Sequence, residues 1–189
     1  TSLLDAYFHS AWQGNGLRPS GYDVLAQSQT GCVVIDRQKG SCQSYPWPFP
    51  DLDFLLLHTG QKLATHHHLQ TAVLPSYLNT LTAIVDSAKM AFETKESQGI
   101  VDAVNAYHYQ LAHMGLVADH SMQCIGSLKR HPDIIAIKGC GAMGADVLLI
   151  ITQANQSVAL RQELLEQDWH ILATSHNLYT GVPLIENIF

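Results

Sequence analysis

The sequence predicts an α+β protein, on three observations. Short apolar runs bounded by glycine or polar residues stand at Leu52–Thr59, Ile134–Ile137, Val147–Ile151 and Trp169–Thr174, and these read as buried strands. Long stretches with apolar residues every three or four positions lie between the first two runs, and another covers Ser157–Gln167. From Leu52 onward the order is therefore strand, helices, strand, strand, helix, strand. That is a split βαββαβ pattern of the ferredoxin-like kind, with extra helices in the first crossover.

The elements follow in order. Ser2–Trp12 carries apolar residues at 3, 4, 7, 8, 11 and 12, a helical stripe that stops at Gly14-Asn15-Gly16. A domain seldom opens inside a helical pattern, so the expectation is an interior segment of something longer. Gly31–Arg37 and Ser41–Tyr45, joined through Gln38-Lys39-Gly40, read as a β-hairpin. Alternating prolines in Pro46-Trp47-Pro48-Phe49-Pro50 block helix and central strand alike, which makes this stretch a rigid linker. Pro75 is placed to open a helix running toward Phe92, followed by helices at Gln98–His113 and Asp119–Lys129 with a break at Gly115-Leu116-Val117. Leu111, Met114 and Met122 read as core filler.

Composition excludes several classes. The 189 residues are 47% hydrophobic and 14% charged, too apolar for a disordered chain. Ten lysines and arginines against 16 acids give a net charge of −6, without the basic patch that a nucleic-acid platform requires. The apolar runs are too short to span a membrane, and the first ten residues lack signal-peptide character. Cysteines at 32, 42, 124 and 140 lack CxxC spacing, so the expectation is a soluble cytoplasmic protein, with a Cys32–Cys42 bridge across the hairpin as a lesser alternative.

Chemistry concentrates in two stretches. Between Ile134–Ile137 and Val147–Ile151 runs a connector with glycines at 139, 141 and 144. Glycines let backbone N–H groups wrap an anion, and Lys138 adds a point charge; a plain glycine-rich turn is the alternative. Arg18-Pro19-Ser20-Gly21-Tyr22-Asp23 is a compact turn, whose aspartate is either a helix cap or a carboxylate displayed to orient or deprotonate a hydroxyl. His66-His67-His68 is a weak metal motif, because consecutive helical residues point about 100° apart; solvent-facing or capping roles fit better.

Pro19-Ser20-Gly21-Tyr22-Asp23 resembles the P-S-G-x-D segment of the GHMP small-molecule kinases, such as the mevalonate, phosphomevalonate, homoserine and galactose kinases. Lys138–Asp146 is similar to their third motif, K-x-T-G-A-G-G-G-G, although Met143, Ala145 and Asp146 stand where glycines are usual and Cys140 replaces a hydroxyl residue. Leu52–Thr59 with Gly60-Gln61-Lys62 and Thr65, and the Gly115-Leu116-Val117 stretch, also match the family in order. The family's phosphate-cradling second motif, P-x-x-x-G-L-G-S-S-A, has no counterpart in these residues.

The resemblance implies an ATP- and magnesium-dependent kinase acting on a small alcohol or phosphate ester, seen in its C-terminal portion. Residues 1–50 would be the helix-and-hairpin tail of a ribosomal-S5-domain-2-like N-terminal domain, and residues 51–189 the C-terminal domain. Asp23 would be catalytic. Ser20, Gly21, Lys62 and Thr65 would bind substrate, and Lys138, Gly139, Cys140, Gly141, Ala142 and Gly144 would contact phosphates. No residue is assigned to a protein-held metal. The partner would be a second copy or a companion N-terminal half. A non-catalytic binding or dimerisation module derived from the family and a diphosphomevalonate-decarboxylase-like enzyme are the competing readings.

Overall fold

The computed structural model describes residues 2–15, 18–61, 79–141 and 146–184. The chain divides into two compact units, Thr1–Pro48 with Leu178–Phe189, and Phe49–Asn177. Among the described residues there are six α-helices and two antiparallel sheets.

The first unit opens on α1 (Leu3–Ala11), started by Ser2, whose hydroxyl accepts from Asp5 N–H at 3.1 Å. That bond satisfies one of the orphan donors at a helix N-terminus. Helix α2 (Tyr22–Gln27) follows the compact turn. Strands β1 (Cys32–Asp36) and β2 (Ser41–Tyr45) form the expected hairpin, closed by Asp36 accepting from the backbone N–H of Gln38 and Lys39. Buried Leu4 and Leu25 hold this unit together, with Leu3, Phe8, Ile35 and Cys42 packed around them. The segment after Asn177 joins the same unit, through Gly31 N–H on Tyr179 O at 2.8 Å and Leu184 N–H on Ser28 O at 2.9 Å. The hairpin register places Cys42 opposite Ile35 and Cys32 opposite Tyr45, and both thiols are free. The two cysteines sit at different steps of the ladder, so the Cys32–Cys42 bridge does not form. Burial pushes the Cys32 thiol up to about 11.

The second unit contains β3 (Leu52–His58), α3 (Asn79–Thr94), α4 (Ser97–His113), α5 (Asp119–Leu128), β4 (Ala136–Cys140), β5 (Val147–Gln153), α6 (Ser157–Glu166) and β6 (His170–Thr174), then a 3-10 turn at Ser175–Asn177. The four strands pair antiparallel in the order β4-β5-β3-β6. Alternate residues share a face of a strand, and Leu55, Leu57, Ile137, Leu148 and Ile150 meet Ile125 and Leu128 of α5 and Leu160 and Leu164 of α6. Fully burying each such side chain contributes about 1.5–3 kcal/mol, and this layer is the main core. Helix α4 lies along edge strand β4, where Asn105 Nδ2 donates to Ile135 O at 3.0 Å.

Two sequence expectations need correction. Strand β4 does not stop at Ile137 but continues through Lys138 and Gly139 to Cys140, because the ladder pairs Gly139 with Leu148 and Cys140 with Val147. Met122 is exposed, and Leu111 and Met114 are only half-buried; Leu116, Val117 and Ala118 are the buried apolar residues of that neighbourhood. Pro75, the expected opening of a helix, lies outside the described residues; among those described, α3 spans Asn79–Thr94 and ends two residues past Phe92.

Asp53 on β3 is a buried carboxylate that ties distant pieces of the second unit together. Its Oδ1 accepts from Phe54 N–H at 2.8 Å and from the Ser175 hydroxyl, and His176 Nε2 lies 3.7 Å from Oδ2. Burial alone would raise its pKa. Hydrogen bonds from Ser175, Ser157 and the Phe54 N–H, together with the His176 ring, outweigh that and hold the carboxyl below its ordinary range.

Candidate functional site

In the first unit, Gly21 is the N-cap of α2 and adopts a left-handed φ of +74°. A Cβ at this position would lie 2.5 Å from Leu4 Cδ1, so a larger residue would hold a strained φ and push the Leu4 side chain aside. Arg37 of the hairpin loop donates from Nη1 to Ser20 O at 2.9 Å and lies over the Phe8 and Tyr22 rings at 5.6 and 5.8 Å. Arg18 covers the Phe8 ring at 4.3 Å. Asp23 is therefore not the helix cap that its position after Ser-Gly suggested. It is the exposed second residue of α2, in the first turn, where the helix dipole favours a negative charge. The turn that presents it is braced by Arg37 on one side and Gly21 on the other.

In the second unit, the antiparallel register brings several chain segments to one end of the sheet. Cys140 faces Val147, Val147 faces His58, and His58 faces His170. The Lys138–Gly141 stretch thus leaves the sheet at the same end as Thr59-Gly60-Gln61. Thr59 N–H donates to Asp146 O at 3.0 Å, and the Thr59 hydroxyl reaches the same oxygen at 3.2 Å. His120 at the start of α5 lies with Nε2 3.3 Å from the Thr59 hydroxyl and 3.3 Å from Ser121 Oγ. Gly141 has a φ of +80°, which turns the chain out of β4.

Lys138 projects from β4 with Nζ 5.3 Å from the centre of the Tyr107 ring and 3.5 Å from Cys140 Sγ. Among the described residues no carboxylate forms an ion pair with it. A cleft of ≈ 520 Å³ runs between α3 and α4 and opens onto Lys138, Gly139 and Gly141. His108, next to Tyr107 on α4, is buried, and among the described residues its Nδ1 has no hydrogen-bond partner. Burial first, and then the charges of Lys129 and Lys138, lower its pKa and disfavour the imidazolium.

The site residues read from the sequence thus fall into separate groups. Lys138, Gly139, Cys140 and Gly141 stand together at the sheet end, and Ser20, Gly21 and Asp23 stand together on the braced turn. Lys62, Thr65, Ala142, Gly144 and His66–His68 lie outside the described residues. Among the described residues no group of three His, Cys, Asp or Glu could hold a metal ion, and no helix is long and apolar enough to cross a membrane. Sequence reasoning missed Thr59, Arg37 and Tyr107. Their contacts are tertiary, and no local pattern announces them.

No family model and no curated protein matches the sequence. Solved structures do. Leishmania major mevalonate kinase in complex with R-mevalonate matches with a TM-score of 0.63 and 19% identity, over 82% of this chain and 50% of that one. Streptococcus pneumoniae phosphomevalonate kinase, in complex with phosphomevalonate and AMPPNP, matches with a TM-score of 0.58 and 19% identity, over 71% of this chain and 42% of that one. Lactococcus lactis galactokinase, complexed with galactose, follows at 0.56 and 12%, over 82% and 52%. The likeness is one of fold. This chain spans about half the length of the kinases it matches.

Proposed function

We propose that the chain is the C-terminal portion of a GHMP-type kinase that transfers the γ-phosphoryl group of ATP to a small alcohol or phosphate ester. The observation that carries this reading is the Lys138–Gly141 stretch. A lysine with no carboxylate partner among the described residues and a left-handed glycine stand at the end of the sheet, within a fold shared with three small-molecule kinases. The βαββαβ order with strands β4-β5-β3-β6 supports a ferredoxin-like C-terminal domain, and the helix-and-hairpin unit supports the tail of an N-terminal kinase domain.

Phosphoryl transfer demands positioning and charge stabilisation more than covalent chemistry. Lys138 and the backbone N–H groups that follow it fit an anion, and they would hold phosphate oxygens. Asp23, exposed on its braced turn, would orient or deprotonate the acceptor hydroxyl. Ser20 and Gly21, with Lys62 and Thr65, would contact the acceptor, and Cys140, Ala142 and Gly144 would complete the phosphate loop. Magnesium, carried in with the nucleotide, would neutralise charge on the β and γ oxygens. We place the reaction in the cytoplasm, where the four free cysteines remain reduced.

The test is calorimetric titration with ATP and magnesium of the natural full-length protein carrying these residues. Micromolar binding, weakened about tenfold by Lys138→Met, is the expected outcome. Absence of binding would favour a non-catalytic module.

A further inference from the structure

The cleft beside Lys138 has a chemical character of its own. Its walls are Ile84 and Ala88 from α3 and Val104 and Leu111 from α4, with Tyr107 at the mouth. Lys138 is the only charged residue among its described lining, and the Tyr107 hydroxyl is the one other polar side-chain group there. A sugar or other polyol would leave its hydroxyls without partners against such walls, which is costly once water is excluded. A hydrocarbon would meet matching surface, and ≈ 520 Å³ lies within the ordinary range for small-ligand sites.

The mouth prefers the opposite chemistry. The Lys138 ammonium is half-buried, held over the Tyr107 ring and beside the Cys140 thiol, with no counter-charge among the described residues. The backbone of Gly139 and Gly141 borders the same opening. A cation partly removed from water, next to glycine backbone, favours an anion.

We infer that the α3–α4 cleft binds a soluble anionic amphiphile, a phosphate or carboxylate head on a short hydrocarbon body, with the head at Lys138 and the body between the helices. This rests on the reading of Lys138 as an anion-binding residue and narrows the ligand class of that site to apolar-bodied anions, away from sugars. It stands whether or not the ligand is the acceptor in phosphoryl transfer.

The experiment is calorimetry on the natural full-length protein with butyl, hexyl and octyl phosphate, inorganic phosphate, octanoate, octanol and galactose 1-phosphate as probes. Each buried methylene should tighten binding roughly threefold to fourfold, so octyl phosphate, with four more methylenes, should exceed butyl phosphate by about 10²-fold. Lys138→Met should weaken octyl phosphate about tenfold and leave octanol unchanged. Ala88→Phe, on the half-buried wall, should weaken octyl phosphate and spare inorganic phosphate, with an unchanged melting curve confirming the fold. Octanoate binding as tightly as octyl phosphate, or more weakly, tells a carboxylate from a phosphate head, and either result supports an anionic head. Equal binding of octyl and inorganic phosphate, indifference to Ala88→Phe, or preference for galactose 1-phosphate would overturn the inference. ATP titration in the same preparation separates the two ideas. Octyl phosphate binding without ATP binding sinks the kinase reading alone, and the reverse sinks this one.

Discussion

Thr59 and Asp146, 87 residues apart in sequence, are joined at one carbonyl oxygen: the Thr59 N–H and the Thr59 hydroxyl both reach Asp146 O, at 3.0 and 3.2 Å. The pair fastens the end of β3 to the residue that precedes β5, and so fixes where the glycine-rich connector returns to the sheet. Replacing the hydroxyl while keeping the side chain's shape should loosen that return. Thr59→Val is expected to lose about 1–3 kcal/mol, because the hydroxyl also lies 3.1 Å from Gln61 O and 3.3 Å from His120 Nε2. Faster amide exchange at Asp146 and Val147, with the rest of the sheet unchanged, is the readout. Unaltered exchange there would mean that the hydroxyl contributes nothing to holding Asp146 in place.

Asp53 offers a stability test with a definite sign. Its carboxyl lies below the ordinary range in the folded chain, so its stabilisation is present above the unfolded value of about 3.9 and is lost as pH falls through the folded value. Asp53→Asn keeps the shape and removes the charge that Ser175, Ser157 and the Phe54 N–H solvate. It should cost about 1–3 kcal/mol at neutral pH, read by urea unfolding, and the variant should lose less stability than wild type between pH 5 and pH 3.

His108 works in the other part of the pH scale. A lowered histidine pKa means that the folded chain disfavours the proton, so stability is complete above about 6.5 and declines as pH falls through the lower folded value. His108→Phe removes a buried nitrogen that has no partner among the described residues, without leaving a large void. The variant should melt at or above wild type at pH 7.5, and its loss on going to pH 5.5 should be the smaller of the two. Identical pH profiles would assign the acid sensitivity elsewhere.

Gly21 tests the braced turn. Any other residue would have to hold φ near +74° with its Cβ against Leu4. Gly21→Ala should therefore destabilise the first unit by about 1–2 kcal/mol. Gly40 makes the control. It too has a positive φ, but a Cβ there meets nothing within 4 Å, so Gly40→Ala should show the backbone strain without the clash.

How much of this was legible beforehand depends on the range of the interaction. The Leu55/Leu57 and Leu148/Ile150 alternations are local patterns, and each strand lies within a few residues of where its apolar run predicts. Ser2 and the 3–4 spacing after it likewise announce α1. Strand β4 ran past its apolar stretch because what keeps Lys138 and Gly139 extended is the facing strand, not their own propensity. Ser20, Gly21 and Asp23 were visible as a compact turn, but Arg37, which braces it from 17 residues away, was not. The α3–α4 cleft was invisible for the same reason. Val104, Tyr107 and Leu111 form an ordinary apolar stripe in sequence, and only the packing of α3 leaves part of that stripe open.

Phosphoryl transfer that depends on Asp23 is the activity proposed for this chain. The direct measurement is transfer of the labelled γ-phosphate of ATP to a panel of small alcohols and phosphate esters, by the natural full-length protein and its Asp23→Ala variant side by side. Transfer by the wild type, falling about 10²–10⁴-fold in a variant with an unchanged melting curve, is the predicted result. A wild type that transfers nothing, or a variant that retains its turnover, would contradict it.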